Sequence, residues 1–479
     1  MTEMHKKTAS PLPVRPGFLR RLRSGLAIAA GRGASFGLRL LGRGATSLPG
    51  KIALTIDPDL LGRLTSGRQV FLVTGTNGKT TTVRMLCTIL RDHGSLVITN
   101  PSGANLDSGL TTTLLGQIRD LRRTARPSAA RQAALVFEID EAFFGKLAAQ
   151  LNPSVCVVTN FFRDQLDRFG ELQHTRDLIA RGLDASQSRI VLCADDSLCA
   201  SLGRDRAADT VYFGMADESM QQQSDDAILE SQFCTFCGGR YQYEGMAYGH
   251  LGRFHCPDCG YTRPEPDLAF SPRKHSDRSL PLLFTWHCEQ AAVDIPIPGL
   301  HNGYNAAAAL SAAMAAGLPF ARSVAALEQS QAAFGRMERF TVGEKDVCLI
   351  LVKNPVGMDR ALDFVARTQD RGGMMVLLNA NDPDGRDVSW IWDVHFEHHL
   401  PEGRIGVSGI RCHDMALRLQ YAGKDAADLS TSPDHLALFD NLLAECPSGR
   451  CLYILPNYTA MLALRADLAR RYHLREFWR

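Results

Sequence analysis

The 479-residue sequence contains no run of about 18 apolar residues, so it offers no membrane-spanning helix. It also lacks a charge excess. Lys and Arg number 53 and Asp and Glu 51, and a net charge of +2 gives no support for a bulk nucleic-acid binder. Nothing near the start resembles a cleaved export signal, because the apolar residues there are broken by Gly and Arg. Without such a signal, the thirteen cysteines argue for a reducing cytosol and for metal ligation, not for a disulfide framework. Acids are nearly missing from the first 50 residues: Glu3 stands alone against Lys6, Lys7, Arg15, Arg20, Arg21, Arg23, Arg32, Arg39 and Arg43. What remains is an ordinary composition, 45% hydrophobic, with length for two to four domains.

Residues 1–48 read as a basic extension with a first helix, since Leu19, Leu22, Leu26 and Ala29 recur at helical spacing. The expectation is a helix packed on the following domain. Contact with an anionic membrane surface, at the inner face of the cell membrane, is the alternative. Leu48-Pro49-Gly50 punctuates the entry to the main domain.

The central motif is Val70–Thr82, VFLVTGTNGKTTT. Val70–Val73 has the β-branched and aromatic character of a buried strand, and Val83, Met85, Leu86 and Ile89 have helical spacing. Strand, glycine-rich turn and helix make a phosphate cradle from Gly75, Thr76, Asn77, Gly78, Lys79, Thr80 and Thr81. Lys79 is expected at the β- and γ-phosphates of ATP and the Thr80 hydroxyl at Mg²⁺. The loop is shorter than GxxxxGK[ST], because position 73 is Val. A βαβ alternation follows, with strands expected at Ser95–Thr99, Leu135–Glu138, Val155–Asn160 and Ile190–Leu192. Ligands of open parallel sheets bind at the carboxyl ends of strands, which makes Glu138 the first choice for Mg²⁺. Asp164, Asp167, Asp195 and Asp196, taken singly, read better as helix caps.

Cys234-x-x-Cys237, eighteen residues, then Cys256-x-x-Cys259 is the spacing of a four-thiolate zinc site. Gly238-Gly239 and Gly260 allow tight knuckle turns, and Phe233, Phe236, Tyr241, Tyr243, Phe254 and Tyr261 can cover a mini-domain too small for its own core. Four thiolates leave no open position, so the site reads as structural. The ribbon lacks a basic cluster, which favours scaffolding or partner contact over nucleic acid.

VTGTNGKTTT, the Glu138 strand end, TNFFRDQLDRFGE (159–171), PGLHNGYNAAAA from Pro298 and FGRMER (334–339) resemble, in this order, the ATP-dependent Mur ligases. The resemblance implies an acid substrate activated by ATP as an acyl phosphate, with His301, Asn302 and Asn305 near the nucleotide and Arg336 on the phosphates. Arg suits that role because it binds phosphate bidentately and stays charged. Three departures stand out. The uridine-nucleotide domain expected before the first strand is missing. Gln165 occupies the place of a metal-binding His. No Lys occurs between Lys146 and Lys274 to be carbamylated.

The fold expected is therefore α/β: a Mur-ligase-like P-loop ATPase domain (a parallel sheet with flanking helices) over 49–338, with a four-cysteine zinc ribbon inserted at 226–275, and a smaller α/β carboxy-terminal domain over 339–479. In that last domain Asn379–Asp393 follows a strand and crowds Asp382, Asp384, Asp387 and Asp393 beside Trp390 and Trp392. That stretch, with KNPVGMDRAL (353–362) and PNYTAM (456–461), resembles the MurT branch of the Mur ligases. The branch implies amidation of the α-carboxylate of D-glutamate in the stem peptide of lipid II, with ammonia from a GatD-type glutamine amidotransferase subunit. It further implies that an Asp of the carboxy-terminal domain completes the partner's Cys–His pair. Asp387 is the first choice and Asp384 the next. Two other readings compete: a stand-alone Mur or folylpolyglutamate-type amino-acid ligase, against which Leu351–Pro355 lacks the usual Asp and His, and a zinc-ribbon regulatory ATPase.

Overall fold

The computed structural model describes residues 18–40, 47–100, 104–124, 132–162, 172–221, 231–273, 278–331 and 336–474. The large sheet is seeded by strands whose side chains are apolar on both faces, as strands sandwiched between helix layers require. They are β1 (Gln69–Thr74), β2 (Leu96–Thr99), β3 (Ala133–Glu138), β4 (Val155–Val158), β5 (Arg189–Cys193) and β6 (Thr210–Met215). A hairpin of β7 (Gln242–Tyr248) and β8 (Leu251–His255) stands apart, and the chain then returns through β9 (Leu268–Pro272), β10 (Leu280–Trp286) and β11 (Glu289–Ile295). The order is β11-β10-β9-β6-β5-β4-β1-β3-β2. β1 to β6 and β9 run parallel, and β10 and β11 close one edge antiparallel. Because β1 lies between β3 and β4, the order reverses there, and a crevice opens at its carboxyl end.

The helix Leu300–Ala315 covers this sheet. Ala306 to Ala309 are fully buried, and the short side chains let it lie close to the helix Lys79–Asp92 and to β6. It is pinned at Tyr304, whose hydroxyl donates to Asp195 Oδ2 at 2.5 Å. Asp195 is completely buried and also accepts from Arg263 Nε at 2.7 Å and from the Met215 amide at 2.9 Å. Asp195 is thus a structural ion-pair partner, and burial holds its carboxyl above the ordinary carboxylate range although Arg263 pulls the other way. Its neighbour Asp196 caps the helix Ser197–Ser201, the role expected of it.

Residues 231–263 form the ribbon, whose small core of Cys234, Tyr241, Phe254 and Cys256 packs against Ala200 and Tyr212. Phe233 and Phe236 stay exposed. The expected end of the insertion at 275 is too late, because Leu268–Pro272 is β9 and pairs with β6 in the main sheet. The helix Phe320–Ala326 is followed by a 3₁₀ turn at Leu327–Gln329, closed where the Ser330 amide donates to the Leu327 carbonyl and the chain turns extended.

The carboxy-terminal sheet contains β12 (Arg336–Val342), β13 (Lys345–Ile350), β14 (Arg371–Leu377), β15 (Ile405–Ser408), β16 (Leu429–Thr431) and β17 (Cys451–Pro456), ordered β12-β13-β17-β14-β15-β16. Only the β12–β13 pair is antiparallel. Separate apolar layers fill its two faces. At the other end of the chain, the helix Phe18–Leu40 packs on Leu48–Ile56 and Asp107–Gly116. Gly31 permits that approach, since a side chain there would strike Leu115 and the Pro49 carbonyl. Among the described residues no helix is long and apolar enough to cross a membrane.

Replacing Arg263 by Ala leaves the Asp195 carboxylate buried without its counter-charge, a loss of about 3–5 kcal/mol. We expect a markedly lower melting temperature for the variant by differential scanning fluorimetry. Unchanged melting would contradict the role of the pair.

Candidate active site and four-cysteine centre

β1 delivers the chain into the loop Gly75–Gly78, and the helix Lys79–Asp92 begins at once with Gly78 as its cap. Two glycines are demanded by geometry. Gly75 has φ +113°, and a Cβ there would overlap Thr159 and the Asn160 carbonyl. Gly78 has φ +87°, and a Cβ there would overlap the Asn305 amide. The loop is held from the end of β4. The Asn160 carbonyl accepts from the Thr76 amide and its side-chain Oδ1 from the Asn77 amide, both at 2.9 Å, while the Thr159 hydroxyl donates to the Asn77 carbonyl at 2.7 Å. The first-turn amides of the following helix have no intrahelical acceptor and are the groups suited to a phosphate.

Lys79 donates to the Gly75 carbonyl at 2.6 Å and pairs with Glu141 at 2.8 Å. Burial alone would draw its ammonium pKa down, yet Glu141, with Glu138 and Asp140 behind it, holds the pKa above the ordinary lysine value. Lys79 is therefore a charged group in a buried setting. Thr80 follows it on the first helical turn, and Thr81 is buried beside it. Glu138 ends β3 in a largely buried position, with its amide bonded to Asn100 Oδ1 at 3.0 Å. Sequence reasoning misses Glu141. The available signal is a second acid three residues after Glu138, on the opening turn of the next helix.

Asn77, Gly78 and Thr81 line a cleft open to solvent, together with Asn160, His301, Asn302 and Asn305. Asn305 donates to Asn302 Oδ1 at 3.0 Å, so the two amides orient each other. The opposite wall comes from the carboxy-terminal domain: Ile350, Leu351, Ala361 and Phe364 supply an apolar surface, and Lys353 and Asn354 reach across. Lys353 Nζ lies 3.2 Å from the Thr76 carbonyl, and Asn354 Nδ2 lies 3.3 Å from Asn77 Oδ1. An apolar slot opening onto a phosphate cradle has the shape and chemistry for a purine nucleotide. Arg336 opens β12, but its side chain lies outside the described residues, as do Asp164, Gln165 and Asp167.

Asp384 and Asp387 part company. Asp384 is buried and accepts from the Thr459 amide at 2.8 Å, the Thr459 hydroxyl at 2.5 Å and the Asn381 amide at 3.2 Å. It ties its loop to the helix Tyr458–Tyr472 through both oxygens. Asp387 is exposed, and the Ser389 amide and hydroxyl, at 2.8 and 2.9 Å, hold its carboxyl below the usual range. It is an oriented, charged, outward-facing carboxylate.

The four cysteines converge. Their sulfurs all lie within 4.8 Å of one another, with Cys234 to Cys259 at 3.6 Å and Cys237 to Cys256 at 3.4 Å. Thiolates about 2.3 Å from a tetrahedral zinc stand roughly 3.8 Å apart, so the group can hold a metal ion. The two knuckles match: the Gly238 amide donates to the Cys234 carbonyl and the Gly260 amide to that of Cys256, both at 2.9 Å, with φ of +75° and +74°.

Phosphate loop, strand order and two-domain cleft define a ligase fold of the Mur class, and the comparisons agree. MurF from Acinetobacter baumannii superposes with a TM-score of 0.63 at 19% identity, covering 88% of this chain and 80% of that one. A pseudomurein peptide ligase type C from Methanothermus fervidus gives 0.62 at 21%, covering 85% and 79%. The Mur ligase middle domain profile matches residues 73–256 and the MurT ligase C-terminal profile residues 351–461. The lipid II isoglutaminyl synthase (glutamine-hydrolyzing) subunit MurT of Streptococcus pneumoniae is 36% identical over 464 residues, 95% of this chain and 99% of that protein. The Staphylococcus aureus subunit of the same name is 33% identical over 388 residues, 80% and 84%. The chain belongs to the MurT family.

Gly78→Ala is expected to weaken ATP binding at least about tenfold in isothermal titration, because the added methyl displaces Asn305 and strains a left-handed residue. Binding equal to the parent would show that the loop tolerates the side chain.

Proposed function

We propose that this chain is the synthetase subunit of a glutamine-dependent carbon–nitrogen ligase that converts D-glutamate in the lipid II stem peptide to D-isoglutamine. The carrying observation is the near end-to-end relationship to a protein named as subunit of a lipid II isoglutaminyl synthase. The loop and its charges fit the reaction. A carboxylate is a poor electrophile until phosphorylated. The substrate α-carboxylate oxygen attacks the γ-phosphorus of ATP, ADP leaves, and an acyl phosphate forms. Ammonia then attacks the acyl carbon, phosphate departs with the C–O electron pair, and the amine loses a proton. Lys79 balances charge on the transferring group. Asn302 and Asn305 are assigned to the nucleotide, and Lys353 and Asn354 bring the second domain onto the loop. Arg336 is assigned to the phosphates. Thr80 and Glu138 would hold Mg²⁺, which would supply Lewis-acid charge neutralisation.

Ammonia must arrive unprotonated, which favours delivery from an attached glutaminase. Asp387 has the exposure and fixed charge to orient a histidine of such a GatD-type partner. Trp392 and Tyr421 stack edge to face nearby at 5.4 Å, and both are exposed, as an aromatic anchor of an interface would be. The sheath of this loop is firm: buried Arg418 donates to the Ile391 and Val394 carbonyls. We assign zinc to the four cysteines as a structural ion, and place the reaction on the cytoplasmic side, where ATP and a lipid-linked acceptor meet.

The test supplies ATP, a lipid II-like acceptor and either ammonium or glutamine plus the glutaminase subunit. Amidation shifts the acceptor by about one mass unit; amino-acid addition shifts it far more, and a regulator leaves it unchanged. Lys79→Ala should lose both reactions, whereas Asp387→Asn should lose only the glutamine-dependent one. Loss of both in Asp387→Asn would remove its assignment. Elemental analysis should find one zinc per chain, and Cys234→Ser with Cys237→Ser should release it and lower the melting temperature.

A further inference from the structure

The helix Phe18–Leu40 has two apolar faces, and the domain uses one. Ala27, Ile28 and Gly31 turn inward, and the attachment is fixed by Arg23 Nε to the Ile56 carbonyl and by Ser24 to Asp57 at 2.8 Å. The leucines that announce the helix in the sequence face away. Leu19, Leu22, Leu26, Phe36 and Leu40 are 53–77% exposed. With Ala29 and Gly33 they recur in steps of three and four along all 23 residues. At about 100° per residue this stripe lies roughly opposite the packed face and runs for about 34 Å.

Charge decides what this face meets. The helix contains Arg20, Arg21, Arg23, Arg32 and Arg39 and no acid. On the helical wheel Arg21, Arg32 and Arg39 flank the stripe on one side, while Arg20 falls on the packed side and Arg23 is held at the domain by the Ile56 carbonyl. Two such helices facing each other would crowd guanidinium groups with no carboxylate between them. An anionic lipid surface meets both demands: acyl chains take the leucines and Phe36, and lipid phosphates take Arg21, Arg32 and Arg39, whose stems can reach up from an apolar bed.

We propose that the outward face of Phe18–Leu40 is a peripheral docking surface for anionic phospholipid. The helix lies in the plane of the headgroups while its other face stays fastened to the ATPase domain. This goes beyond the amidation reading and stands without it.

The experiment is co-sedimentation of the full chain with phosphatidylcholine vesicles containing about a third phosphatidylglycerol, against pure phosphatidylcholine, at low and high salt. Binding to the anionic vesicles, weakened by salt and at least about tenfold weaker on neutral ones, is expected. Leu22→Gln, Leu26→Gln and Phe36→Gln combined, and separately Arg21→Gln, Arg32→Gln and Arg39→Gln combined, should each reduce it about tenfold or more at unchanged melting temperature. Both variants should amidate a soluble muropeptide at the parental rate, which separates failure here from failure of the enzymatic reading. Equal binding to neutral vesicles, no binding, or undiminished binding by the variants overturns the proposal. So does a dimer, seen by analytical ultracentrifugation, that the apolar variant dissolves, for the face would then belong to a second copy.

Discussion

The structure depends on a space that must stay empty of side chains. Asn160 and Thr159 press on Gly75 from one side, and Asn305 presses on Gly78 from the other. The loop thereby loses its freedom before any phosphate arrives, and the entropy of ordering it is met by the fold instead of by the ligand. Each of the two clamps needs its own support. Asn160 follows β4 in the middle of the sheet. Asn305 rides on an alanine-rich helix that can lie close only because Ala306–Ala309 are small and because Tyr304 is tied to Asp195. A buried ion pair far along the sequence from the motif thus bears on the geometry of the cradle.

The second domain completes what the first leaves open. Lys353 and Asn354 touch the loop just before the helix Pro355–Arg367, which Asn354 itself caps through the Gly357 amide at 2.8 Å. One asparagine therefore starts a helix in one domain and contacts the phosphate loop of the other. Any movement between the domains must break these contacts, which couples closure to the loop directly.

The parallel strands and the cradle were legible because their signals are local: apolar runs, Gly-Lys-Thr, a carboxylate at a strand end. The paired CxxC motifs were legible for the same reason, since ligand spacing is itself the geometry. β9 was not, because Leu268–Pro272 carries no feature that distinguishes a main-sheet strand from the ribbon beside it; only pairing with β6 decides. Nor was the orientation of Phe18–Leu40. The leucine spacing announces a helix without saying which face packs, and packing chose the face bearing Ala27 and Gly31, where close approach to Leu115 and Pro49 is possible. The pairing of Glu141 with Lys79 joins two elements 62 residues apart and has no local signature.

Two pairs of acids, each three residues apart, show how surroundings assign roles that sequence leaves equal. Glu138 and Glu141 both sit at the carboxyl end of β3, yet Glu141 takes the Lys79 ion pair while Glu138 closes the strand with its amide on Asn100. Asp384 and Asp387 share one acidic turn, yet Asp384 is spent on Thr459 and Asn381 while Asp387 faces solvent, held by Ser389. The inner acid fixes the loop on which the outer one stands. If Asp384 let go, Asp387 would keep its charge and lose its direction, and the proposed orientation of a partner's histidine needs both.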